Sequence, residues 1–255
     1  MPSRMGRVLT AGRRAFYKLD GPWIRCRLFE ALGSRRYSWP ALNELDRRLQ
    51  PLVPDPPGTF LEAGAHDGYT QSNTYYLERF RGWRGVLVEA IPELSTKAAK
   101  RRPQSRVVQA ALVGPEREGQ EVVIHFGDLT STLGDRGLTE RGLDNAGREP
   151  YDVRVPGRTL SSILDEAGLS APDLLLLDIE GQELDALRGL DLERHGPALM
   201  VIEMLDMAAQ RAAFDQLLAP HYEFVKALSP DDALYRRLGS DVLQESYGAA
   251  SRSVP

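Results

Sequence analysis

From residue 59 onward, short apolar runs alternate with segments whose apolar residues recur every three or four positions. Strand-like runs occupy 59–63, 85–89, 107–112, 174–179 and 198–203, and helical patterns occupy 73–80, 93–102, 160–167, 182–187 and 208–218. Two further strand-like runs, 121–126 and 151–155, interrupt the rhythm after the third strand and are joined by a Gly-rich loop over 127–147. Strands that alternate with helices pair in parallel through right-handed crossovers. The unbroken run Leu174-Leu175-Leu176-Leu177 suits a strand covered on both faces. The pattern therefore predicts a doubly wound, mostly parallel α/β sheet with a β insertion after the third strand. Such sheets take ligands at the carboxyl ends of their strands.

Upstream, Leu42, Leu45, Leu49 and Leu52 recur at helical spacing, so 41–52 reads as an amphipathic helix. Pro51, Pro54, Pro56, Pro57 and Gly58 then mark the entrance to the main domain. Residues 1–39 read as one or two helices punctuated by Gly21-Pro22 and Pro40. The expected division is an N-terminal helical arm over 1–57 and a main domain over 58–255.

Composition narrows the class. The chain has 255 residues, 42% of them hydrophobic and 27% charged, enough for one large domain with an appendage. No apolar run approaches the roughly 18 residues of a membrane span. The arginines near the N-terminus are not followed by an apolar stretch, which argues against a secretory signal. A lone cysteine, Cys26, excludes an intramolecular disulfide and a cysteine-held zinc, and suits a cytoplasmic location. Residues 1–36 carry nine Lys/Arg against Asp20 and Glu30, a net of +7, which leaves −11 on the remainder. A basic arm can meet nucleic acid or a membrane surface, or pack on an acidic body; the last is expected here. The body is too acidic for a nucleic-acid binder.

The first strand ends in Glu62-Ala63-Gly64-Ala65-His66-Asp67-Gly68. A dinucleotide fingerprint needs glycines where this chain has His66 and Tyr69, and those side chains would obstruct a pyrophosphate. An acidic first turn suits a cationic ligand instead. S-adenosyl-L-methionine carries a sulfonium and an ammonium and no phosphate. Glu62 is placed to attract the ammonium, and Gly64 to admit the backbone closely. Glu89 ends the second strand, one crossover beyond Gly64, where a carboxylate accepts hydrogen bonds from ribose hydroxyls.

The segment from Phe60 to Thr74 resembles the FkbM-type methyltransferases, as does Trp83 to Leu94. Leu177-Asp178-Ile179-Glu180-Gly181-Gln182-Glu183, continuing to Leu187-Arg188-Gly189, is a third match in the same order, so the resemblance covers about 58–205. It implies a Rossmann-like methyltransferase sheet and adenosylmethionine-dependent methyl transfer, commonly to a hydroxyl oxygen of a glycan or secondary metabolite. By position, the cofactor loop is Glu62, Ala63, Gly64, Ala65, His66 and Gly68, with Glu89 and Ala90 at the second strand end. Ser72, Asn73 and Thr74 open the next helix, where free N–H groups grip the methionine carboxylate or the side chains cap the helix. Ala110 and Ala111 are small enough to line a flat adenine.

Asp178 and Glu180 stand two residues apart at the end of the most apolar strand, a spacing that in extended backbone puts both on one face. They are the expected catalytic pair, as base or as groups that orient the acceptor hydroxyl, and Asp178 also borders the cofactor. A divalent cation is the less favoured role, because two acids are few for an ion that prefers six oxygens; no metal is expected. Glu203 ends the next strand and is placed to join them. His66 is read as shaping the cofactor turn; His125, His195 and His221 have no metal-like spacing. The 127–147 loop is read as a lid over acceptor and cofactor. The expected partner is a small-molecule or glycan acceptor with a free hydroxyl, with no nucleic acid and no membrane span; the oligomeric state is open, a homodimer among the options. A non-catalytic adenosylmethionine-binding or scaffold protein is the alternative; it would need Glu62, Gly64 and Glu89 but not the Asp178–Gly181 turn.

Overall fold

Thr59–Ala63 forms β1, and it pairs in parallel with a strand on either side. A computed structural model describes residues 20–126, 132–133 and 151–240. In chain order the helices are α1 (Gly21–Ala31), α2 (Leu45–Leu49), α3 (Tyr75–Arg81), α4 (Pro92–Arg101), α5 (Leu160–Ala167), α6 (Glu183–Arg188) and α7 (Met207–Leu218). After β1 come β2 (Arg84–Glu89), β3 (Arg106–Gln109), β4 (Ala111–Leu112), β5 (Glu121–Phe126), β6 (Thr132–Leu133) and β7 (Tyr151–Arg158). Then follow β8 (Leu174–Leu177), β9 (Leu199–Glu203), β10 (Tyr222–Ala227) and β11 (Asp232–Arg237). None of the described helices is long and apolar enough to cross a membrane.

The main sheet has seven strands in the order β10, β11, β9, β8, β1, β2, β3. The five from β9 to β3 are parallel, and β11 and β10 complete the edge antiparallel. Every residue of β8 is buried. Leu61, Ala63, Leu175 and Leu177 face one apolar cluster, and Phe60, Leu174 and Leu176 face another. The alternation of the two faces with residue number is the period-two geometry of a strand covered on both sides.

Three features depart from the sequence pattern. The third strand breaks: β3 stops at Gln109, the Ala110 N–H donates to the Glu89 carbonyl, and the chain resumes as β4 in a second sheet of order β4, β7, β5, β6. The 41–52 helix is also broken. Asn43 and Glu44 take left-handed φ of 52° and 56°, so only α2 is α-helical, flanked by 3₁₀ turns. Buried Asp46 accepts the Ala41 and Arg47 N–H groups, which holds the chain in this kink. Leu45, Leu49 and Leu52 are buried as the spacing predicts, while Leu42 is exposed. Finally, β10 and β11 lie in a stretch that the sequence pattern left unassigned.

The described part of the arm packs on the body through both signs of charge. Arg35 donates to the Tyr76 hydroxyl at 3.0 Å and lies over the Phe80 ring, and two acids make ion pairs. Asp20 pairs with Lys97 and Arg101 of α4, each at 2.9 Å. Glu30 pairs with Arg79 of α3 at 3.0 Å and accepts from Tyr75 and Ser38, each at 2.9 Å. Cys26 is fully buried, and the Trp23 ring meets Tyr69 and Tyr75 edge-on.

Candidate functional site

A cavity of about 320 Å³ opens at the carboxyl ends of β1, β2, β8 and β9. On the β2–β3 side its wall is apolar: Ile91, Leu94, Ala110, Ala111, Leu112 and Ile124. On the β8–β9–β11 side it is acidic: Asp178, Glu180, Glu203, Asp231 and Asp232. Glu62, Gly64, His66, Asn73 and Glu89 join the two.

Gly64 sits between these walls with φ of 81°. A Cβ there would run into the backbone oxygen of Asp178, so only glycine lets the β1 and β8 ends close together. The Gly64 and Ala65 N–H groups both donate to the Val88 carbonyl at 3.1 Å. Of the residues read as the cofactor site, Ala63, Gly64, His66, Glu89, Ala90, Ala110 and Ala111 line the cavity. Ala65 and Gly68 do not. Ala65 packs in the apolar cluster beneath, and Gly68, at φ 79°, takes the backbone close against Ala98 of α4.

The Ser72 and Thr74 hydroxyls and the Asn73 backbone N–H all bond Glu62. The Ser72 hydroxyl donates to Glu62 Oε2 at 3.0 Å, the Thr74 hydroxyl to the same oxygen at 2.5 Å, and the Asn73 N–H to Oε1 at 2.7 Å. Fully buried Arg102 lies 3.6 Å from Glu62 Oε2 and bonds Ser72 and Thr74 at 3.0 and 2.8 Å. Of the three, only Asn73 reaches the cavity wall. The helix begins at Tyr75, and neither Ser72 nor Asn73 caps it. Glu62 itself lines the cavity, but its carboxylate is first a hub that folds the 69–74 segment.

Glu89 is held the same way from the other side. Its Oε2 accepts the His66 N–H and its Oε1 the Ile91 N–H, both at 2.8 Å. Each oxygen retains a lone pair for a further donor. Burial pushes its carboxyl up to about 7, against the lowering from those two N–H groups and from His66.

The Asp178-Glu180 turn differs from the strand geometry expected. β8 ends at Leu177, Glu180 takes φ of 56° and Gly181 φ of 92°, so a left-handed turn replaces extended backbone. The two side chains share the cavity because of the turn and not because of alternation. Glu183 fixes it: its Oε1 accepts the N–H groups of Ile179 and Gly181 at 2.9 and 3.0 Å. A non-glycine residue held in the left-handed region stores backbone strain, which is commonly found at functional sites. Asp178 does not cap α6; it meets the Glu203 carboxyl across adjacent strand ends, and burial raises both, with Glu203 the member that keeps the proton. Burial, with Asp178 and Glu183 nearby, pushes Glu180 up to about 7.

Sequence spacing missed several wall residues. Leu42, Asn43 and Leu45 arrive from the kinked segment, which a bridge between Ala41 and Gln71 ties to the loop after β1. Asp231 and Asp232 come from the start of β11. Neither group stands near a motif, and the only signal was the unexplained acid pair before a strand. Of the four histidines only His66 lines the cavity; His125 pairs with Asp152 at 2.6 Å, His195 bonds the Ser170 carbonyl at 2.6 Å, and His221 also lies off the wall. Most of the expected 127–147 lid lies outside the described residues. Among the described residues no group of three or more His, Cys, Asp or Glu is arranged to hold a metal ion.

The wall fits the expected cofactor in chemistry: small apolar residues for a flat base, a strand-end carboxylate with spare lone pairs for a ribose, and acids for a cationic centre. A family profile for the methyltransferase FkbM domain matches residues 62–228. None of the curated proteins compared with the chain matches it. Among solved structures, a TehB-like SAM-dependent methyltransferase from Corynebacterium glutamicum is 13% identical, with 89% of this chain and 99% of that one covered at a TM-score of 0.45. The methyltransferase FkbM from Methylobacillus flagellatus is 17% identical over 71% of this chain and 43% of its own, at a TM-score of 0.44. An O-methyltransferase from Bacillus cereus, in complex with SAH, is 14% identical over 75% and 77%, at 0.43. With the profile covering well over half of its residues, the chain belongs to the FkbM methyltransferase family, and its methyl donor is S-adenosylmethionine.

Proposed function

We propose that this protein methylates a hydroxyl oxygen on a sugar or a secondary metabolite. The observation that carries the reading is a pair of acids, Asp178 and Glu180, on the wall of the same cavity as Gly64 and Glu89. Burial raises both above the usual carboxylate range. An alcohol must lose its proton as it attacks, and a base poised near neutrality serves that step.

When bound, S-adenosylmethionine supplies an electrophilic methyl group. Glu89 would hold the ribose hydroxyls, Ala90, Ala110, Ala111 and Ile91 the adenine, and Gly64, His66 and Asn73 the methionine end. Glu180 accepts the acceptor's proton, while Asp178, sharing a proton with Glu203, orients the hydroxyl. Alignment of the reacting atoms supplies most of the acceleration, because the leaving thioether is neutral. Residues 1–57 would act as an arm on a catalytic unit at 58–255, and the buried lone Cys26 suits a reducing, cytoplasmic setting.

The test is transfer of tritium from methyl-labelled adenosylmethionine to a panel of hydroxylated sugars and natural products. The reading requires an alkali-stable ether product. Label found only on nitrogen, carbon or a carboxylate ester would overturn it.

A further inference from the structure

The helix α1 is pinned by one face and displays the other. Cys26, Trp23 and Glu30 turn toward the body. On the opposite side Ile24, Leu28 and Leu32 are 58%, 58% and 74% exposed. They follow one another at four-residue spacing, so they form one apolar stripe along the helix. By helical geometry Arg25 lies on one flank of this stripe and Arg27 on the other, both exposed.

The outward charge of this element is positive. Glu30 is the only acid of α1, and its side chain is 3% exposed, drawn inward by Arg27 and Arg79. Exposed Arg36 follows shortly after the helix, and the stretch before Asp20 contains Arg4, Arg7, Arg13, Arg14 and Lys18 with no Asp or Glu. An apolar stripe bracketed by arginines is complementary to a surface that is apolar below and anionic above. That is the boundary of a bilayer rich in anionic headgroups.

We propose that α1 is a peripheral docking element for an anionic membrane surface. The apolar stripe enters the headgroup boundary, and the flanking arginines meet lipid phosphates. One short stripe gives only weak attachment, so the electrostatic part is required and salt weakens it. Shortly beyond α1 the same chain reaches Leu42 and Asn43 on the cavity wall, so docking holds that rim near the surface.

The test uses the full chain and sedimentation with vesicles. Phosphatidylglycerol/phosphatidylcholine vesicles should bind the protein at least about tenfold more than pure phosphatidylcholine, and about 0.5 M salt should release it. The triple variant Ile24→Ser, Leu28→Ser, Leu32→Ser should lose about tenfold or more of this binding while retaining adenosylmethionine binding. A second readout needs only one exposed change. The Cys26 thiol is buried and pushed up to about 11 by burial, with Glu30 beside it, so a thiol-reactive dye labels Leu28→Cys selectively. Its emission should shift to the blue on anionic vesicles. No binding to anionic vesicles, or equal binding by the triple variant, would overturn the proposal. So would a wild-type dimer that the triple variant dissociates without any vesicle binding, which would make the stripe a contact between copies.

Discussion

The His66 N–H donates to Glu89 Oε2 at 2.8 Å, and this bond ties the end of β2 to the turn after β1. His66 pays for its place with a left-handed φ of 49°. The Glu89 carboxylate therefore shapes the loop before any ligand arrives. A buried group of this kind has a pH signature. The folded carboxyl keeps its proton up to about pH 7, whereas an unfolded one loses it near 4.5. The native state is thus favoured below pH 4.5, and that advantage is lost as the pH rises to 7, on the order of 3 kcal/mol in all. Ribose hydroxyls need the ionised acceptor, so adenosylmethionine affinity should rise between about pH 6 and 8 while stability falls. Calorimetric titration across that range should show the rise, and Glu89→Gln should flatten it. Affinity of the wild type independent of pH would count against Glu89 as the ribose ligand.

Glu62 gives a different expectation, because its oxygens are occupied by the protein. In Glu62→Gln an amide NH₂ would face the hydroxyl donors of Ser72 and Thr74 and the Arg102 guanidinium. Breaking one member of a buried charged network typically costs about 3–5 kcal/mol. Urea unfolding of the ligand-free variant should show a loss of that order. Unchanged stability with weakened cofactor binding would instead make Glu62 a ligand group alone.

The turn acids should separate in their pH profiles. Glu180→Gln should lower turnover by about 10²–10⁴-fold if Glu180 is the base. In the wild type, kcat/KM should climb as the pH rises through about 7, where Glu180 gives up its proton. Asp178→Asn removes a negative neighbour, so the climb should move to lower pH. Adenosylmethionine affinity should change little in Glu180→Gln. Near-normal turnover in both variants would leave the chemistry to positioning alone.

The parallel core was legible from residues 59–63, 85–89, 174–177 and 198–203 because a strand buried on both faces leaves a local mark, an unbroken apolar run. The acids at those strand ends were legible for a related reason: a carboxylate beside so apolar a run is costly without a partner or a task. What each acid touches was not local. Glu62 looked free to meet a ligand, yet Ser72, Thr74 and Arg102, all farther along the chain, close around it in space. Asp178 and Glu180 looked like neighbours on a strand face, and only Glu183 and the close approach of Gly64 reveal the left-handed turn that joins them. The arm read as a positive appendage for a negative body, because net charge sums over residues that never meet. In three dimensions Asp20 and Glu30 select Lys97, Arg101 and Arg79, while Arg35 turns to Tyr76, and Arg25 and Arg27 remain exposed. Periodicity and composition act along the chain, whereas hydrogen-bond partners, charge pairs and cavity walls are chosen by packing between segments far apart in it.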